Sequence, residues 1–337
     1  MKTIFTLNLQ LFAAGDRAAF NPNTTTTSGM SATMKDFYDT ALLENARAVM
    51  VWEQFAKRQT TTHGKRAEWR RFNTFAPATT PLVEAQAPSG KTFGMSTVTG
   101  EIAQYGDFTT VSDVLELTAF DDVIYGATEE MGASMGETYD VLTRDMVSLG
   151  NSVLYAPNLG ADGAETAVTT RSGLNGSSRL TPKVVHNAAT WLKKHRAPKI
   201  NGYYIGVIHP SVAHDLIETE EWKEFQKYTT SDKIFKGEIG ELYGIKFIES
   251  DTSKIIKTGN DAIYLTQFFG KDAFGIIDPA GGALEMIIKS KEQVGGPLNQ
   301  FSTVGYKFET NGATILYPER VLRVMSCSSY SAIDTEN

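Results

Sequence analysis

Gly90-Lys91-Thr92, inside the stretch EAQAPSGKTFG at residues 84–94, has the residue types of a phosphate-cradling loop. Such a loop converges backbone N–H groups on the phosphates. It needs a second glycine five positions earlier, a buried strand leading in and a helix leading out. Position 85 is Ala85, and the flanking residues are rich in Pro, Ser and Thr with no helical period, so the nucleotide reading fails. His209 and His214 are off the i, i+4 spacing that places two imidazoles on one helical face, and no HExxH surrounds them. His209, followed by Pro210, reads instead as a strand-end residue capping the next helix, while His186 and His195 read as solvated helix ends. Cys327, the lone cysteine, lies far in sequence from any histidine and reads as a small buried residue. No GxSxG elbow occurs, and the glycines of GEIGELYG follow a helix and lead into a strand, the reverse of a dinucleotide fingerprint. Asp121-Asp122, Glu129-Glu130 and Glu220-Glu221 read as helix-start or solvent-face charges. No catalytic residue, metal ligand or cofactor is expected.

One cluster does carry a strong electrostatic signal. KRQTTTHGKRAEWRR gathers Lys57, Arg58, Lys65, Arg66, Arg70 and Arg71 against Glu68 alone, in a chain of net charge -7. That overall balance excludes a general nucleic-acid binder, which needs a broad basic face. Contact with an acidic surface on a neighbouring copy is the reading favoured for the cluster. Nucleic-acid contact, with Trp69 stacking on a base, is the alternative.

The elements that would position these residues can be followed along the chain. At 337 residues, 41% hydrophobic and 21% charged, it is an ordinary globular chain too long for one small core. No apolar run approaches the roughly 20 residues that span a bilayer. In MKTIFTLNLQLFAAGD the apolar residues are interrupted by Thr6, Asn8 and Gln10, unlike a secretory signal. The alternation Phe5, Leu7, Leu9, Leu11 suggests a short strand or adhesive arm, and residues 13–35 an extended arm. Phe37, Ala41, Leu42, Val49, Trp52 and Phe55 predict a helix that stops before the TTT at 60–62. From His63 to Val111, short β-type runs surround Pro77, Pro81 and Pro88, predicting a long two-stranded excursion with an irregular tip. It has few large apolar residues, so it is expected to lie on a neighbouring subunit.

Phe120, Ile124, Ala127, Met131, Met135, Tyr139, Leu142, Met146, Leu149 and Val153 step by three or four. They predict a helix over about 120–155, roughly 50 Å long, with Glu129, Glu130, Glu137, Asp140 and Arg144 on its remaining circumference. The alternative is two helices broken near Gly132 to Gly136. From Thr181-Pro182 an α/β section follows, and the end reads as long strands turned at Asn311-Gly312.

In this order the parts resemble a tailed-bacteriophage major capsid protein with the Hong Kong 97-like fold, of the N-four-type coat protein family. LNLQLFA resembles the start of many phage coat proteins. VWEQFA, RAEWRRF, PLVEAQAPSGKTF and EIAQYGDFTTVSD resemble the approach, extended loop and return strand. IHPSVAHDL, GEIGELYGIKFIES, FGKDAFG and GPLNQFSTVGYKF resemble the axial-domain and closing motifs. The resemblance implies an α+β fold with an N-arm and short helix at 1–60 and an extended β-hairpin loop (E-loop) at 61–112. It further implies a long spine helix with a peripheral (P) β-sheet at 113–182, an α/β axial (A) domain at 183–296, and closing P-domain strands at 297–337. It implies no enzyme activity but homo-pentamers and homo-hexamers closing into an icosahedral virion shell around double-stranded DNA, with only non-specific proximity to that DNA and no membrane. A portal protein is an implied partner, and a separate scaffolding protein is expected because no long charged helix precedes the arm. Lys65, Arg66, Trp69, Arg70, Arg71, Glu84, Lys91 and Phe93 are the implied subunit-interface residues, with Phe5, Leu7, Leu9, Leu11 and Phe12 as arm contacts. An encapsulin-like nanocompartment shell of the same fold stays open, as does, remotely, an α/β hydrolase or transferase with an inserted hairpin.

Overall fold

Residues 50–61, 64–72, 75–82, 84, 90–119, 123–160, 162–227, 240–259, 261–279, 285–294, 298–310, 312–331 and 334–337 are described by a computed structural model. The arm residues Phe5, Leu7, Leu9, Leu11 and Phe12, and most of the helix expected up to Phe55, lie outside them. Where the description begins, Trp52–Phe55 is a 3-10 turn. The chain then enters β1 (Lys57–Thr61), β2 (Arg66–Phe72), β3 (Met95–Glu101) and β4 (Ala103–Ser112). Helices α1 (Asp113–Thr118) and α2 (Val123–Ser148) follow, then β5 (Val153–Tyr155), β6 (Asn158–Leu159) and β7 (Glu165–Thr166). Next come α3 (Pro182–Lys194), β8 (Tyr204–Ile208), α4 (Pro210–Glu218), α5 (Glu220–Lys227), β9 (Glu241–Leu242), β10 (Ile245–Glu249), β11 (Ile255–Thr258), β12 (Asp261–Phe269) and β13 (Phe274–Pro279). The last elements are β14 (Glu285–Lys289), α6 (Lys291–Val294), β15 (Phe301–Thr310), β16 (Thr314–Ile315) and β17 (Val321–Ser326). They form two compact units, each made of discontinuous segments.

The larger unit, residues 50–103, 138–281 and 310–337, is built on a sheet in the order β5-β17-β12-β8-β10-β9, with β11 paired to β12. β8 runs parallel to β10, and β12 is antiparallel to both β8 and β17. β8 is a continuous apolar run and β12 is buried from Ala262 to Phe269, because both faces of the sheet are covered. Val184, Val185, Ala188, Ala189 and Leu192 of α3, with Val212 and Leu216 of α4, pack against Tyr204, Ile208, Ile245 and Phe268. Thr181 caps α3 by accepting the Val184 N–H, and Pro182 occupies its first turn, as the sequence predicts. On the opposite face, Ile205, Val207 and Phe269 meet Trp52, Val147, Phe274 and Ile276. Each such fully buried side chain contributes about 1.5–3 kcal/mol.

The smaller unit contains a sheet of β14, β15 and β4 in that order. β4 and β15 approach closely: a Cβ at Gly106 would lie 2.5 Å from the Tyr306 carbonyl oxygen, and one at Gly305 2.7 Å from that of Asp107. Ser112 caps α1 by accepting the Leu115 N–H, and Glu116 pairs with Lys291 at 2.8 Å. None of the residues of α1 is buried.

Three expectations are corrected. α2 is one unbroken helix of 26 residues, about 39 Å at 1.5 Å per residue. It stops at Ser148 because Val153–Tyr155 is claimed by pairing with β17. Second, its buried stripe is Thr128, Gly132, Met135, Gly136, Asp140, Thr143, Arg144, Val147 and Ser148, while Met146 and Leu149 are exposed. Backbone passes close to the helix at Gly312, where a Cβ would sit 3.1 Å from the Leu142 carbonyl oxygen. Third, the described strands flanking Asn311-Gly312 do not pair with each other as a hairpin. β15 pairs with β14 and β4, β16 with β13, and β17 with β12.

Asp140 and Arg144, assigned by pattern to the helix's polar circumference, are 1% and 2% exposed. One Asp140 oxygen accepts the Val51 and Trp52 N–H groups at 2.8 and 2.9 Å, and the other accepts the Thr252 hydroxyl at 2.9 Å. Arg144 donates to the Thr252 carbonyl and, at 2.9 Å, to Asp145, which also pairs with Lys254. Asp140→Ala leaves two buried donors without an acceptor, at about 1–3 kcal/mol each, so a loss of about 2–4 kcal/mol is expected in denaturant unfolding. Burial, only partly offset by these hydrogen bonds, raises the Asp140 carboxyl above its ordinary 3.8. The unfolded chain therefore ionises first, and this group's contribution fades as pH climbs from 3.8 through the raised folded value. In Asp140→Asn, which keeps an acceptor, that slope should vanish from the stability–pH profile.

Candidate functional site

β2 and β3 pair antiparallel from Arg66↔Glu101 to Phe72↔Met95, with Trp69 opposite Val98. The two-residue period sends Ala67 and Trp69 inward and Arg66, Glu68, Arg70 and Phe72 outward. The inward pair joins Ile102, Ile277 and Leu316 in a core of the larger unit. Gly275 makes room for the indole, because a Cβ there would lie 3.0 Å from its ring. The base of the hairpin is therefore seated on its own chain. Scarcity of apolar residues had suggested that the whole excursion needed a neighbour, but one tryptophan and two small residues suffice for its proximal half.

Lys65 is exposed, and its carbonyl accepts the Ile102 N–H at 3.0 Å. Arg66 pairs across the ribbon with Glu101. Arg71 is half-buried, donating to Ser96 at 3.3 Å and to the Leu316 carbonyl at 3.4 Å, while Arg320 stacks on Tyr317 at 3.7 Å. Lys57, Arg70, Arg71, Trp69 and Tyr317 line a cleft of about 450 Å³. Beyond Phe72 the described residues have no regular structure until Met95, consistent with the prolines there. Glu84 and Lys91 are exposed, and the Lys91 ammonium donates to the Ala76 carbonyl. Gly90-Lys91-Thr92 leads into strand β3, not a helix, so the phosphate-cradle geometry is absent.

Phe93, expected as an interface residue, packs at a tilt against two others that sequence reasoning missed. Phe72 and Phe75 lie 5.0 and 5.8 Å from its ring centroid. Three phenylalanines bracketing a proline-rich stretch otherwise poor in large apolar residues were the available signal. Trp69, by contrast, is already buried within the chain, leaving Arg66, Glu68, Arg70 and Phe72 as the exposed face of this strand. The site is thus a ribbon seated at its base, with Arg66 and Arg70 set against Glu68 and Glu101 on its exposed face, and with an aromatic end.

Elsewhere, His209, Tyr264 and Cys327 are committed to structure. His209 caps α4, its Nδ1 accepting the Ser211 N–H at 3.2 Å, and burial lowers its pKa. Tyr264, beside it, donates to Asp334 at 2.5 Å. Burial pushes the Cys327 thiol up to about 12, opposite to what a nucleophile needs. Among the described residues, no group of three His, Cys, Asp or Glu is placed to hold a metal ion.

No family model and no curated protein matches the sequence. The fold does match solved structures. The chain is similar to the capsid of the cyanophage P-SCSP1u, with a TM-score of 0.62 and 14% identity over 97% of this chain and 100% of that one. It is also similar to the capsid of Ralstonia phage GP4, with a TM-score of 0.60 and 14% identity over 82% and 87% of the two chains. A virus-like particle from Pyrococcus furiosus matches with a TM-score of 0.51 and 9% identity over 86% and 99%. The chain has the mixed α+β fold of tailed-phage capsid proteins.

Since Trp69 fastens the base of the hairpin, Trp69→Ala should cost about 3–5 kcal/mol. Limited proteolysis should then cut between residues 57 and 103 much sooner, with the α/β body intact; an unchanged cleavage pattern would contradict the seating.

Proposed function

We propose that this chain is a structural major capsid protein, without enzymatic activity, that assembles through pentamers and hexamers into an icosahedral shell around phage double-stranded DNA. The observation that carries the reading is the end-to-end likeness to a phage capsid chain, covering 97% of this one and 100% of that one. The hairpin supports it, because its base is seated while its aromatic end is left exposed. In this reading residues 61–112 are the extended loop, α2 is the spine helix, residues 113–182 and 297–337 supply the peripheral region, and 183–296 form the axial domain. Lys65, Arg66, Arg70, Arg71, Glu84, Lys91 and Phe93 then face adjacent subunits, with Trp69 holding their strand, and Phe5, Leu7, Leu9, Leu11 and Phe12 act as arm contacts. A separate scaffolding protein and a portal protein are the proposed partners, and the virion shell is the proposed location. Many modest contacts, each near the standard size of roughly 800 Å² per partner, add up over a closed shell.

The match to the Pyrococcus virus-like particle favours a second reading, an encapsulin-like compartment holding protein cargo. Particle contents separate the two: nuclease-protected DNA supports the first, and enclosed protein without DNA the second.

Deleting residues 74–95 is expected to leave a soluble chain with unchanged circular dichroism that forms no closed particles. Wild-type-like shells from the deletion, seen by electron microscopy, would sink the proposed role of the loop.

A further inference from the structure

Two surfaces of this chain are unusually apolar for their exposure. At the hairpin's end, Phe72, Phe75 and Phe93 are 57%, 50% and 58% exposed, with Leu82 at 74% beyond them. On α1, Val114, Leu115 and Leu117 are 64%, 47% and 88% exposed. A short helix with no buried residue gains nothing for its own fold from three large aliphatic side chains. The two surfaces also differ in charge. Residues 57–101 carry seven Lys or Arg against three Glu. The described residues of the smaller unit, numbered 104–119, 123–137, 285–294 and 298–309, carry nine carboxylates against three lysines and no arginine.

We propose that the aromatic end of the hairpin of one copy docks on α1 of a second copy, with Phe93 and its two ring neighbours covering Leu117, Val114 and Leu115. The contact pairs apolar with apolar at its centre. Around it, Arg70 and Lys91 meet the acidic surroundings of Asp113, where Glu116 is already paired with Lys291. In a protein of net charge -7, copies repel unless a basic segment faces an acidic one, so this pairing supplies attraction and selects orientation together. The inference rests on the proposed self-assembly and names which two surfaces of the chain meet.

Cross-linking between two single variants tests it directly. Phe93→Cys and Leu117→Cys are both at exposed positions, and the native Cys327 is buried with its thiol pushed up to about 12, so it should stay silent. A disulfide forms only between Cα atoms within about 7 Å. Mixed particles of the two variants should give covalent dimers on oxidation, with peptide mass spectrometry locating a 93–117 link. Neither variant alone should do so. Particles that form without such dimers overturn this contact and leave the capsid reading standing. So does a link from position 117 to the N-terminal 49 residues or to a different protein. Failure of the unmodified chain to form particles with its co-expressed partners overturns the capsid reading and this contact with it. As a second measurement, Leu117→Asp should keep the wild-type Tm, since the side chain is exposed, and reduce particle yield at least about tenfold, which corresponds to losing roughly 1.4 kcal/mol of association free energy at one contact. Unchanged yield would count against the docking.

Discussion

A two-stranded ribbon in water holds together only where one of its faces is buried, and in this chain the burial is concentrated at Trp69. The indole reaches Ile277 and Leu316 through the space left by Gly275, and Ala67 beside it is small enough to let the strand lie close. Every residue between Trp69 and the end of the hairpin inherits its direction from that seat. Arg66, Glu68, Arg70 and Phe72 point outward because Ala67 and Trp69 point inward, and a register slip by one residue would exchange the two sets. In the proposed shell, a surface that meets identical copies must be fixed in direction, and the seat fixes it.

The seat depends in turn on how the chain approaches it. Just before β1, the Trp52 turn is tied to α2 by the buried Asp140 carboxylate, which also holds the Thr252 hydroxyl. Arg144, one turn further on, fixes the same loop through the Thr252 carbonyl. Three segments distant in sequence are joined at one charged group whose partners satisfy it. Unsatisfied, such a group would cost several kcal/mol, so its network favours a single arrangement.

Much of this was legible in the chain itself. The cap and proline opening α3, its apolar face, the buried run of β8 and the proline-broken excursion follow from local preference and period, and each is found. Where the reading failed, the reason was the same each time. Periodicity says that α2 is a helix and not which stripe faces inward. Its larger apolar residues suggested one face, but hydrogen bonds to distant segments hold Asp140 and Arg144 in the interior. Asn-Gly at 311–312 has the composition of a hairpin turn, yet the strands around it find better partners elsewhere, β15 with β14 and β4, β16 with β13.

By itself the sequence determined that the bulk of α2, α3 and β8 is helical or extended, where charge of each sign accumulates, and the absence of any recognisable catalytic pattern, because these depend on neighbours within a few residues. Tertiary structure alone decided that Trp69 belongs to the interior, that Phe72 and Phe75 join Phe93 in one exposed cluster, and that α1 stands out with its aliphatic side chains in water. Those facts depend on which distant strand passes within a few ångströms, and on whether a glycine such as Gly275 waits there to receive a ring.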